Sequence, residues 1–404
     1  MSAFACEPGR GSEQEVGWRW ALEMARWYDV TVLTQTRNRP GIERELARGL
    51  PDDRTLWFEY FQLPEPIYRL KSRFDPLTWP YYVGWQWALR RVAARLHARE
   101  PFVLAHHVTF VSFRAPVWLK GLGIPVVFGP VGGAEKAPSN LLKQGFGALI
   151  WGKEKLRNAA TDLGARVLRL LPPLAPNGGI CLAATPGMAA IFTRAGLPNE
   201  VFPAIGMDVE ASVDEQAGEP TKVIRFLWVG RFHPLKGVHL LLKAFARAAL
   251  PNATLTLIGS GPDESRLKAL AADLGLADRL VWTGKLPRAE LPAHYRQHQV
   301  FIAPSLYESG GLTVLEAMSE GLPAIVLDVG GHSVSVTEEC GTKVPPTGSV
   351  DDVIGNLCGA LQRYAAEPGL IPRQGNAAKE RVAREYAWLP KARRMRSIYE
   401  RLLA

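Results

Sequence analysis

The sequence predicts an α/β protein made of two Rossmann-like, doubly wound parallel-sheet domains, and three observations carry that reading. Short apolar runs recur with glycine at their carboxyl ends and helical patterns behind them, five times between residues 223 and 330 alone. A polar stretch, Glu210 to Pro220, separates two such halves and reads as a linker. The 404 residues, 47% hydrophobic and 22% charged, are enough for two cores. The expected domains are 1–205, with a C-terminal helix at 386–404 packing back on it, and 206–385.

Met1 to Cys6 reads as a first strand, brief for a parallel sheet, which suggests a late-started N-terminus. Glycines 9, 11 and 17 surround the start of a helix, Glu13 to Trp27, and Asp29 to Thr34 is a second strand. This order is that of a Rossmann unit, but G-x-G-x-x-G is not matched and no acidic residue closes the second strand, which disfavours a dinucleotide. Gly11 remains able to bring a backbone N–H against a phosphate or an acceptor, or else serves only its turn.

Residues 57–99 interleave aromatics with Arg69, Lys71, Arg73, Arg90, Arg91 and Arg95, and a weaker basic, Leu-rich stretch follows at 141–174. Rings with basic tips suit a bilayer interface or stacked single-stranded nucleic acid, and equally suit core helices with a solvated basic face. Phe102 to Val108 reads as a strand ending in His106 and His107, and Ile124 to Phe128 as another. Ligands of open α/β sheets bind at carboxyl strand ends, so either histidine is a candidate functional group.

In the second half, Val223 to Val229 is a strand closed by Gly230 and Arg231, with Lys236 and Gly237 before the helix Val238 to Ala249. Two cations across a strand-to-helix turn can hold a diphosphate between them. Thr254 to Ile258 ends in Gly259-Ser-Gly261, and Leu280 to Trp282 leads to Gly284. Val300 to Ala303 is the next strand, then a loop with Glu308, Gly310 and Gly311, then a helix, Leu312 to Ser319, that carries Glu316. Two glycines at a helix start leave N–H groups and the positive dipole end aimed at an anion. The rise from Gly311 to Glu316 is about 7.5 Å, so two carboxylates could bracket an extended ligand. Trp388 to Leu403 is a basic amphipathic tail helix.

The net charge of +9 is uneven. Residues 1–203 hold 25 Lys+Arg against 17 Asp+Glu, and 204–404 hold 23 against 22. A basic first lobe favours an anionic partner. Four cysteines, far apart, argue against zinc and disulfides and fit a reducing, cytoplasmic setting. No apolar run is long enough to span a bilayer as a helix.

Taken together, Gly230-Arg231 with Lys236-Gly237, the Gly259-Ser-Gly261 turn, and Glu308-x7-Glu316, beginning E-S-G-G-L and ending E-A-M-x-x-G-L-P, resemble the retaining GT-B glycosyltransferases of family GT4. The first half resembles their acceptor domain in an A-C-E-P-G-x-G-S-E variant. The resemblance implies two domains facing across a cleft and transfer of a hexose from a nucleotide-sugar to a lipid-linked or oligosaccharide acceptor in polysaccharide or envelope glycan synthesis. It implies that Arg231 and Lys236 hold the donor diphosphate, Glu308 lies near the sugar, Glu316 takes the ribose, and Gly310, Gly311 and Leu312 line sugar and phosphate. Gly11 matches the N-terminal loop glycine, Gly230, Gly259, Gly261 and Gly284 the donor turns, and His106 or His107 the family's N-lobe histidine. No metal or other cofactor is expected, since the two cations can supply the charge. The expected partners are a nucleotide-diphosphate sugar, a glycan or lipid-linked acceptor and the anionic inner face of the cytoplasmic membrane, with no nucleic acid. A nucleotide-sugar epimerase or hydrolase of this fold, or a non-catalytic binding protein, is the alternative.

Overall fold

A computed structural model describes residues 1–50, 55–115, 117–145, 148–168, 174–209 and 223–404, so the stretch read as a linker lies outside the described residues. The chain divides into two compact units, one of residues 1–134, 161–206 and 388–404, the other of 135–160 and 207–387. Segment 135–160, which the sequence reading places in the first domain, groups with the second unit.

In the first unit seven strands form one sheet of parallel pairs: β1 (Ser2–Ala3), β2 (Val30–Gln35), β3 (Leu56–Phe61), β4 (Ala105–Thr109), β5 (Val126–Val131), β6 (Ile180–Ala183) and β7 (Asn199–Val201), in the order β3-β2-β1-β4-β5-β6-β7. β3 arises inside the aromatic-rich stretch, where no strand was expected; its rings suit a pleated, partly exposed edge strand. Helices α1 (Ser12–Met24), α2 (Arg39–Leu46), α3 (Glu65–Arg73) and α4 (Thr78–Arg99) follow in chain order. One face of the sheet is covered by Tyr81, Tyr82, Trp85 and Leu89 of α4. The other packs on Trp20, Ala21 and Met24 of α1 together with Trp388, Met395 and Tyr399 of the C-terminal helix Trp388–Leu403. Lys391 of that helix is fully buried, lies over the Phe202 ring and donates to the Pro203 carbonyl; burial pulls its ammonium well below the usual lysine range.

The second unit holds β8 (Ile224–Val229), β9 (Ala253–Ile258), β10 (Leu280–Gly284), β11 (Val300–Ala303), β12 (Ala324–Leu327) and β13 (Gly341–Val344), all paired in parallel in the order β10-β9-β8-β11-β12-β13. β11 and β12 are buried at every residue, as a parallel strand covered on both faces requires. Helix Val238–Ala248 supplies Leu241, Leu242, Ala244 and Phe245 to this core, and helix Val350–Ala366 packs beside it behind a capping box of Ser349 and Asp352. The strand order reverses between β8 and β11. At such a switch the following loops diverge and leave a crevice at the carboxyl ends.

Candidate functional site

The loops after β8 and β11 meet at this switch. Gly237 takes a left-handed conformation (φ 68°), and a Cβ there would overlap the Pro304 carbonyl, so only glycine lets the β8 loop lie against the start of the β11 loop. The Leu306 N–H donates to the Leu235 carbonyl at 2.8 Å and fixes the register of the two loops. Lys236 is thereby set opposite Glu308, with Nζ 2.7 Å from Oε2. The other carboxylate oxygen accepts N–H bonds from Gly311 at 3.1 Å and Gly310 at 3.4 Å. Gly311 (φ 70°) is the N-cap of helix Leu312–Ser319, so the Glu308 carboxylate holds the anion position at that helix start, with Leu312 as the first helical residue.

Further contacts hold the Glu308 backbone and surround its side chain. The Gly331 N–H donates to the Glu308 carbonyl at 2.9 Å, and a Cβ at Gly330 would overlap that same oxygen. His332, fully buried, packs against Gly311; burial drives its imidazole down to about 4 although Glu308 pulls the other way, so it is neutral at pH 7. Burial alone would raise the Glu308 carboxyl, but the Lys236 ammonium and the Gly311 N–H outweigh it and hold the group at about 2. Arg231 stands exposed on the same β8 loop and makes no ion pair among the described residues. From segment 135–160, Arg157 stacks its guanidinium 3.8 Å from the Tyr307 ring centroid, one residue before Glu308.

Glu316 is engaged at both oxygens, by Arg288 at 2.7 Å and by the Tyr295 hydroxyl at 3.2 Å. The glycine turns do a different task from offering free N–H groups. Gly230 donates to Ile258 and Gly259 to Gly284, while Phe232 donates to Ser260. A Cβ on Gly259 (φ 144°) would overlap the Gly230 carbonyl, and one on Gly261 would overlap that of Phe232. These glycines, with Gly284 (φ 73°), let three loops close on one another and hold Arg231 and Lys236 in place.

Arg231, Lys236, Glu308, Gly310, Gly311, Leu312 and Glu316 are thus all on the loops and helix at the β8/β11 switch. Gly11, His106 and His107 belong to the first unit. Gly11 (φ 64°) caps α1 with no side-chain cap of its own. The expectation for the histidines is corrected: β4 continues to Thr109, so neither stands at a strand end, and both are buried. His106 bonds Tyr399 Oη through Nδ1 at 2.5 Å and the Gly129 carbonyl through Nε2 at 2.7 Å. His107 bonds Ser2 Oγ through Nδ1 at 3.1 Å and Tyr82 Oη through Nε2 at 2.8 Å. Burial lowers both to about 3, and with both ring nitrogens of each engaged they act as neutral hydrogen-bonding struts of the core. At the true strand end the Phe110 N–H, on a residue with φ 58°, donates to the Glu13 carboxylate at 2.9 Å. The sequence reading missed Arg288, Tyr295, His332 and Arg157, each of which reaches the site only through the fold.

Residues 210–362 match the family model described as "Glycosyl transferases group 1". A D-inositol 3-phosphate glycosyltransferase of Streptomyces bingchenggensis is 31% identical over 254 residues, covering 60% of this chain and 53% of that protein. The lipopolysaccharide core biosynthesis mannosyltransferase LpsB of Rhizobium meliloti is 32% identical over 185 residues, 43% of this chain and 50% of that one. The chain spans about half the length of the curated relatives it matches. Among solved structures, Anabaena Alr3699/HepE in complex with UDP superposes with a TM-score of 0.61 at 15% identity, over 95% of each chain. That likeness concerns the fold, which is GT-B.

Proposed function

We propose that this chain is a glycosyltransferase that moves a hexose, with retention of configuration, from a nucleotide-sugar to a lipid-linked or oligosaccharide acceptor in polysaccharide or envelope glycan synthesis. The observation that carries the reading is the Lys236–Glu308 pair seated on the Gly310 and Gly311 N–H groups at the β8/β11 switch. Breaking a sugar–phosphate bond leaves negative charge on the departing diphosphate. Arg231, Lys236 and the helix start at Gly311 form a fixed positive region for it. In this reading the diphosphate takes Lys236 and the glycine N–H groups from Glu308, whose carboxylate turns to the sugar. Glu316 exchanges its Arg288 bond for the ribose hydroxyls. The charge on the leaving group is met by side chains and backbone, so transfer proceeds without a divalent metal.

The test is turnover with a panel of nucleotide-sugars, with and without glycan acceptor and with EDTA. Acceptor-dependent release of nucleoside diphosphate, undiminished by the chelator, is expected. Release without acceptor indicates a hydrolase, conversion of the donor to another nucleotide-sugar without release indicates an epimerase, and abolition by EDTA overturns the metal-free step.

Membrane attachment is part of the same proposal. Among the described residues no helix is long and apolar enough to cross a bilayer. In α3 no residue is buried, and Ile67, Leu70 and the following Phe74 and Trp79 are exposed beside Arg69, Lys71 and Arg73. Nearby in sequence, exposed Trp87 carries the Arg90 and Arg91 guanidinium groups 4.7 and 5.4 Å from its ring. Rings and apolar tips at headgroup level with cations facing lipid phosphate fit an anionic surface. Flotation with vesicles containing phosphatidylglycerol should carry the protein upward and should fail for Ile67→Glu with Leu70→Glu; wild-type protein left at the bottom of the gradient refutes attachment.

A further inference from the structure

The first unit contains a cavity of about 780 Å³ at the carboxyl ends of β1 and β2, floored by loop residues Glu7, Pro8, Gly9 and Arg10 and walled by α1 and α2. That volume suits a sugar-sized group. Its lining is dominated by charge. Arg10 pairs with Glu7 at 3.3 Å, Arg19 with Glu15 at 3.3 Å and Arg48 with Glu45 at 2.7 Å. Glu15 also accepts the Gly9 N–H at 2.7 Å, which ties the loop to α1. Glu7 is held against α2, where a Cβ on Gly41 would stand 2.6 Å from its side chain. Three arginines therefore have carboxylates. Arg37 and Arg44 line the same cavity, are exposed, and make no ion pair among the described residues. Five arginines against three glutamates leave two positive charges in the cavity. Trp18, stacked on Phe58 with centroids 6.0 Å apart, gives it a flat apolar flank beside Leu22. Planar cations that grip two oxygens at once, next to an aromatic ring, are the chemistry that holds a sugar bearing a carboxylate or a phosphate.

We propose that this cavity binds an anionic group of the acceptor, a uronate carboxylate or a sugar phosphate, through Arg37 and Arg44. The inference rests on the transferase reading for the word acceptor, but the site itself stands on the first unit alone.

The full chain is titrated calorimetrically with glucuronate, glucose 6-phosphate and glucose. Both anions should bind at least about tenfold more tightly than glucose, a difference of about 1.4 kcal/mol, and their relative strength tells carboxylate from phosphate. Arg37→Gln with Arg44→Gln should erase the preference at unchanged melting temperature, while Arg37→Lys with Arg44→Lys, which keeps the charge but loses the two-pronged grip, should retain only a smaller preference. Equal binding of glucose, or a Gln pair that still discriminates, overturns the proposal. Nucleoside diphosphate binding, followed in parallel, separates the two readings: its loss with anion preference intact counts against the transferase alone.

Discussion

Replacing Lys236 by alanine is expected to lower kcat/KM for sugar transfer by on the order of 10²–10³-fold, the usual loss when one fixed donor to a developing anion is removed. The same change exposes what the pair does for the fold. Glu308 is a mostly buried carboxylate whose burial opposes ionisation and whose ammonium partner overcomes that opposition. In the intact protein its value is about 2, below the ordinary 4.5, so it contributes stability that is complete above about 4.5 and lost as pH falls towards 2. Without Lys236 the desolvation remains and its main opponent is gone, while the Gly311 N–H still favours the charged form, so the carboxyl rises from that low value. Stability that the variant lacks at pH 7 should then be recovered relative to wild type as pH is lowered through 5 towards 3. Differential scanning calorimetry across that range reads the recovery. A variant with wild-type transfer, or one whose relative stability falls on acidification, contradicts the pairing as the source of both effects.

Much of this site is legible in the sequence because it lies on local grammar. A buried strand ending in Pro-Ser, two glycines and a run of good helix formers can only be read as strand, loop and helix, and Val300–Ala303 and Leu312–Ser319 fall where that grammar puts them. The partnership of Lys236 with Glu308 is different, since it spans 72 residues and depends on Gly237 letting two loops touch. Arg288 and Tyr295 are ordinary residues of a loop and a helix until β10 and β11 bring them to Glu316. The histidines mislead for a physical reason: two polar residues at the end of an apolar run look like a strand end. Buried hydroxyls from Ser2, Tyr82 and Tyr399, two of them contributed by distant segments, satisfy them inside the sheet instead. The segment 135–160 gives no compositional hint that it packs with the second unit, because its Leu141, Leu142 and Trp151 would serve either core.

The largest opposed pair of effects is expected for Glu308→Gln. The amide keeps an oxygen for the Gly310 and Gly311 N–H groups but removes the charge that holds Lys236. A nucleoside diphosphate then meets a free ammonium and a helix start without an anionic competitor, so its affinity should rise about three- to tenfold, or roughly 0.7–1.4 kcal/mol. Transfer should fall by on the order of 10²-fold or more, because the carboxylate that would face the sugar as it gains positive charge is gone. A residue that merely braces the loop would move both quantities downward together. Calorimetric titration of the diphosphate alongside single-turnover transfer therefore discriminates the roles. Tighter product binding with slower chemistry identifies Glu308 as both the stand-in anion at the helix start and the group that acts on the donor sugar. Weaker binding and slower chemistry reduce it to a strut.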